Sequence, residues 1–187
     1  MSRGLLVFSL LFSITVTGQT TAWNSIGTAE KCWVVFHSFI AKKAHRITQQ
    51  TVSVMDSLKE VNYFYGNTRS SSKADAVGHA YWMAELTEKI GKRRALKLGV
   101  AHEKKNKRDF EKGRLEEQYL PDYVAMQMDL KNNVKGAEIG QNNTKPLDKV
   151  LKALQSGELF WIKQNNKGEF LDKNDHVIPL KEWSGKW

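Results

Sequence analysis

The chain contains a single cysteine, Cys32, and only three prolines among its 187 residues. One thiol excludes any disulfide within the chain, so the fold must be held by apolar packing. Cys32 sits beside Trp33 and Val34, a setting that predicts a buried small apolar side chain. There are no internal repeats, no low-complexity linker, no glycine-rich phosphate loop and no serine nucleophile elbow. His102-Glu103-Lys104-Lys105-Asn106 starts like a zincin helix but has Asn where the second metal-binding His must stand. Asp172-Lys173-Asn174-Asp175-His176 starts like a calcium loop, but Val177 occupies the place of the glycine that makes the turn. Both chemistries are thereby excluded.

The one extended apolar run lies at the N-terminus. Met1-Ser2-Arg3 is a short positive segment, and Leu5 to Val16 is apolar over about a dozen residues, too short to span a bilayer as a helix. Val16-Thr17-Gly18 supplies the small residues a signal peptidase needs. Residues 1–18 therefore read as a secretory signal peptide cleaved near Gly18-Gln19, with an uncleaved anchor as the rival. A lipoprotein anchor would need a cysteine at the cleavage point, and Cys32 lies too far downstream. The expected product is exported, periplasmic or extracellular. Its remaining 169 residues suit one domain with a real core.

The formal charge is +9, and losing Arg3 lowers it to +8. That excess raises nucleic acid as a partner. The densest charged stretch, Glu103 to Glu117, nevertheless holds six basic and five acidic residues, a net of +1, which is the composition of a solvated surface. The remaining positive charge is spread along Lys42 to Arg46, Lys89 to Lys97 and the tail. No specific nucleic-acid binding is expected; weak attraction to anionic membranes or polymers is.

Periodicity predicts a mainly α protein: a single helical domain, residues 19–187, with a small C-terminal β-hairpin. Trp33, Phe36, Ile40, Ala44, Ile47, Val54 and Leu58 recur at helical steps over one long helix from Ala29 to about Val61. Tyr63 to Ser72 reads as a loop. Ser72, with Asp75 three residues on, caps a second helix that ends at Gly91. A third helix runs from Lys92 to about Glu103, and Asn106 to Leu120 reads as a solvated loop or surface extension. Pro121 begins a fourth helix that ends by Gly136, and Leu147 to Leu154 forms a fifth, closed by Gly157. Leu159 to Ile162 and Glu169 to Leu171 flank the turn residues Asn165-Asn166-Lys167-Gly168 as a hairpin, and His176 to Ile178 could add a strand.

Several polar residues stand on these helices beside apolar faces: His79 on the second, His102 and Glu103 on the third, and Asp129, Asn132 and Asn133 on the fourth. Asp75 and His79 share a helix face at four residues' spacing, and Asp129 faces the same side as Asn132 and Asn133. Two imidazoles and a carboxylate, His79, His102 and Asp129, would suit a divalent metal ion with an open position for water. A carboxylate-steered His could instead act as a general base without metal. The bland reading is a buried polar network that fixes packing. In that reading Asp75 only caps its helix, and Trp82 is core.

The segments Lys73-Ala74-Asp75-Ala76-Val77-Gly78-His79-Ala80-Tyr81-Trp82, Ala101-His102-Glu103 and Met128-Asp129-Leu130-Lys131-Asn132-Asn133, followed by Gly136 and Gly140, resemble a helical domain of unknown function. That domain occurs in exported bacterial proteins and at the ends of toxin-like chains. The resemblance covers about residues 73–163, and it implies a helical fold without implying a reaction. The leading expectation is an exported hydrolase or toxin-like enzyme using His79, His102 and Asp129, supported by Glu103, Asn132 and Asn133. The alternative is a non-catalytic envelope protein in which the same residues form a structural network.

Overall fold

A computed structural model describes residues 23–64, 72–113, 123–141, 145–165, 167, 169–172 and 174–178. Among the described residues six helices carry the fold: α1 (Thr28–Phe36), α2 (Ser38–Glu60), α3 (Lys73–Ile90), α4 (Lys92–Glu111), α5 (Tyr123–Gly140) and α6 (Pro146–Gln155). Two short strands, β1 (Lys163–Gln164) and β2 (Phe170–Leu171), pair antiparallel, and Leu171 bridges to Val177. The chain is mainly α, with a small hairpin about the expected turn, although its first strand is Lys163–Gln164 rather than Leu159–Ile162. The expected signal peptide, Pro121 and most of the loop after Phe64 lie outside the described residues.

The central element is α3, which packs against α2, α4, α5 and α6. Its sequence suits that position. Ala76, Val77, Ala80, Met83, Ala84 and Leu86 are wholly buried on several sides of the helix, as expected for a rod covered nearly all round. On one flank Met55, Val77, Val150 and Leu159 form a core with α2 and α6. On the other, Trp33, Ile47, Met83, Leu86 and Leu98 join α1, α2 and α4.

The seam between α3 and α5 is made by small residues. A Cβ added at Gly136 would meet the Cα and carbonyl carbon of Ala80, both at 2.8 Å; one added at Gly140 would meet Thr87 Cβ at 2.8 Å and Ala84 Cα at 2.9 Å. Matching 136 to 80 and 140 to 84 shows that the two helices run parallel. Gly136 therefore does not end its helix, as the sequence suggested. It lies inside α5 because α3's backbone occupies the space a side chain would need.

Other boundaries moved for identifiable reasons. The long first helix breaks at His37 (φ −129°, ψ 35°). The His37 ring takes the Trp33 carbonyl, 2.9 Å from Nδ1, and stacks on the Trp33 ring. The backbone N–H that would have used this carbonyl turns to Val34 O instead. The stretch after Asn106 continues as helix to Glu111, because α1 covers it and buries Asn106 and Asp109. Cys32 is exposed rather than buried: Glu30 and Trp33 face inward, which turns Cys32 outward.

The seam predicts opposite outcomes for two glycines. In an open helix Gly→Ala gains up to about 1 kcal/mol. Gly136→Ala should instead destabilise by about 1–3 kcal/mol, since the obstacle is backbone. Gly78→Ala, whose nearest neighbour would be Met55 Cγ at 3.8 Å, should stabilise by about 0.5–1 kcal/mol. Urea unfolding of both variants checks the pair.

Candidate functional site

The parallel seam places the N-terminal half of α3 against that of α5, and the antiparallel α4 closes the third side. Ser72 caps α3, its hydroxyl accepting from the Asp75 N–H at 3.5 Å. That bond uses the backbone of Asp75 and leaves its carboxylate to point along the helix to His79. His79 Nε2 is 3.7 Å from Asp75 Oδ1 and 3.6 Å from Asp129 Oδ2 on α5. One ligand atom from each of these three residues lies within 4.8 Å of the others. Their side chains are 25%, 14% and 6% exposed for Asp75, His79 and Asp129, so the group opens to water at its Asp75 edge.

The opposite ring nitrogen fixes the imidazole. Asn133 Oδ1 accepts from Nδ1–H at 3.3 Å. With the proton on Nδ1, the Nε2 lone pair faces two carboxylates, so three electron-pair donors converge on one spot. This hydrogen bond to the remote nitrogen is the usual way a metal-binding His is oriented. Two ligands about 2.1 Å from one ion at the tetrahedral angle stand about 3.4 Å apart. The two measured separations from Nε2 are only slightly wider than that.

Behind His79 lies Glu103 of α4, fully buried, with Oε1 3.9 Å from Nδ1. Burial raises its carboxyl above the ordinary range, and the Asp75 charge acts in the same direction. The nearby His79 and His102 rings and the Asn106 hydrogen bond only partly oppose this. Asn106 Nδ2 donates to Glu103 Oε2 at 3.2 Å, while Oε1 has no hydrogen-bond partner among the described residues.

His102 stands beside the donor set rather than within it, its ring centroid 6.1 Å from that of His79. Its Nδ1 is 3.1 Å from Glu30 Oε1 on α1. Glu30 is itself held by the start of α1, where its Oε2 accepts from Gly27 N–H at 2.6 Å. Trp82 forms edge contacts with both imidazoles and is anchored by donating to Thr48 Oγ1 at 2.9 Å.

Of the residues singled out from sequence, His79, Asp129, Asn133 and Glu103 come together around one imidazole. Asn132 is committed elsewhere: fully buried, it donates to Phe160 O at 2.7 Å and accepts from Phe160 N at 2.9 Å. It staples α5 to the segment before the hairpin. Two participants lie outside the expected site residues. The four-residue spacing already put Asp75 on the face of His79, but its cap accounted for it without a place in the ligand set. Glu30 meets His102 across 72 residues, and no local pattern reports such a pairing. Two surface grooves, of about 790 Å³ between the start of α1 and the end of α4 and about 540 Å³ at the α3–α4 turn, contain none of Asp75, His79 and Asp129. The donor set lies outside both grooves.

Fold and site together define a helical domain built around a carboxylate–imidazole cluster. The chain belongs to the family described as a domain of unknown function (DUF6973), matched over residues 31–158. That span takes in most of α1 and all of α2, which the motif resemblance left out, and stops before the hairpin. No curated protein and no solved structure matches the chain.

Glu103 sets a pH dependence. A carboxyl whose folded pKa is raised stabilises fully below its unfolded value, and stability falls as pH climbs from there through the folded value. The slope for one such group approaches about 1.4 kcal/mol per pH unit. With chelator present, the wild type should lose urea resistance as pH rises above the ordinary carboxylate range, whereas Glu103→Gln should flatten that slope. Equal profiles would show that Glu103 is ionised in the folded protein.

Proposed function

We propose that this is an exported hydrolytic enzyme in which Asp75, His79 and Asp129 hold a divalent transition-metal ion. The observation that carries this reading is the convergence of three donor atoms within 4.8 Å of one another, one of them on an imidazole whose other nitrogen is held by Asn133. One nitrogen and two carboxylate oxygens suit zinc or manganese, and three protein ligands leave room for a water whose pKa the ion lowers. An ion held there would supply an activated water for hydrolysis, and His102, held by Glu30 beside the His79 ring, is the neighbouring imidazole that could serve as a base. Export rests on the basic start, the apolar run from Leu5 to Val16 and the small residues up to Gly18.

The rival reading, a structural polar network, draws support from Asn132, whose bonds are wholly architectural. Metal analysis separates the two. Purified protein should carry about one zinc or manganese per chain, and metal at a hundredfold over Kd should stabilise it by about 2.7 kcal/mol. For a chain of this size that is a rise of about 5–10 °C in melting midpoint. Asp129→Asn and His79→Gln should lose both the ion and the shift. Asn132→Ala should lose about 1–3 kcal/mol of stability yet keep the ion. A metal-free protein indifferent to added ions and to chelator would leave only the network.

A further inference from the structure

The metal reading involves the N-terminal half of α3. The other end of the same helix has a different character. There the α1–α2 elbow at His37 meets the α3–α4 turn: Trp33 Nε1 donates to Arg94 O at 3.1 Å, and Lys43 Nζ donates to Lys89 O at 3.1 Å. The elbow projects apolar side chains into solvent. Val35 is 66%, Phe36 82% and Phe39 100% exposed. Full exposure of a phenylalanine is unfavourable in water, and three neighbouring apolar residues on one corner form a patch rather than scattered exceptions.

Positive charge surrounds that corner. From Lys31 to Met55 the chain has no acidic residue, while Lys42, Lys43 and Arg46 follow directly on the elbow. Across from them, Lys92, Arg93, Arg94 and Lys97 line the groove of about 540 Å³ that His37 closes. Lys43 and Arg94 are bonded to backbone carbonyls and Lys92 to the Gln141 side chain, so these bonds leave their charge uncompensated. The acids at this end include Glu88, which pairs with Lys89 at 2.6 Å, and Glu85, whose charge also acts on Lys89.

We propose that this corner docks on an anionic phospholipid surface, with Val35, Phe36 and Phe39 entering the interface and the lysines and arginines meeting lipid phosphates. Charge complementarity selects this occupant. A second copy of the chain would set two basic arrays face to face, at a cost. A nucleic acid would satisfy the cations but leave the aliphatic Val35 without an apolar environment. A bilayer interface supplies apolar depth and negative headgroups together. Among the described residues no helix is long and apolar enough to cross a membrane, so the contact is peripheral.

The test is co-sedimentation of the purified protein with vesicles of phosphatidylcholine alone or mixed with phosphatidylglycerol, at rising salt. Wild type should bind the mixed vesicles, bind neutral ones at least about tenfold more weakly, and release as salt screens the charges. Phe36→Ser/Phe39→Ser should weaken binding at least about tenfold, and Lys42→Glu/Arg93→Glu at least about tenfold as well. Circular dichroism melting verifies that each variant is folded. Should the serine pair fail to fold, the charge pair and the salt series decide. Absence of binding overturns the proposal, as does equal binding by folded variants, which would assign it to another face or to the N-terminal apolar run. Loss of self-association, or of binding to a single-stranded oligonucleotide, in the serine pair without any vesicle binding would assign the corner to those partners instead.

Discussion

The structure depends on how closely α3 and α5 approach. Ala76, Ala80 and Ala84 recur every four residues on α3, and Gly136 and Gly140 do so on α5. With side chains this small, backbone meets backbone, and dispersion contacts accumulate along the whole seam. The parallel register has a chemical consequence. Stepping back along the seam from Gly136, the next residues of α5 on that side are Asn133 and Asp129, and they meet His79 of α3. The residues that permit contact thereby set the distance between imidazole and carboxylate. A larger residue at position 136 would push apart the helices that carry the donors, so packing and site geometry form one constraint.

Electrostatics bears on the proposed cation. Three acids, Asp75, Asp129 and Glu103, surround the single imidazole of His79. Like charges held this close cannot all remain ionised at low cost. Burial eases the conflict at Glu103 by pushing its carboxyl above the ordinary carboxylate range. Asp75 and Asp129 place two further carboxyl groups opposite one imidazole nitrogen. In a chain of net charge +9 this is a local reversal of sign. On the proposed reading, a divalent ion would draw on the imidazole nitrogen and both carboxyl groups at once.

Much of this was readable from the sequence, and the failures share a cause. Helical periodicity found the helical segments among the described residues, although it ran α1 and α2 together, because a buried stripe must repeat at 3.6 residues whatever it packs against. Boundaries failed where a distant element intervened. His37 interrupts a good periodic pattern because its own ring competes for a backbone carbonyl. The charged turns after Asn106 stay helical because α1 covers them, and Gly136 continues α5 because α3 requires it. The site followed the same rule. His79, Asp129 and Asn133 could be grouped from spacing on their own helices. Glu30 could not, since its meeting with His102 exists only after α1 folds onto α4. Cys32 shows the converse: its apolar neighbours in sequence say nothing about which side of α1 faces the core.

Docking through the elbow would also constrain what the site can act upon. His79 and Gly91 are twelve residues apart along one helical rod, about 18 Å at 1.5 Å per residue. The elbow and the α3–α4 turn lie together at the end of that rod, so a membrane held there lies beyond the tip of α3 rather than beside His79. Ester bonds of the docked lipids would be out of reach of a site at that distance. A substrate would have to come from the aqueous side, or extend outward from the surface by roughly the same length. Membrane attachment and hydrolysis would then be separate duties of one helix, with the lipid fixing where the enzyme works and the donor cluster acting on something other than the lipid.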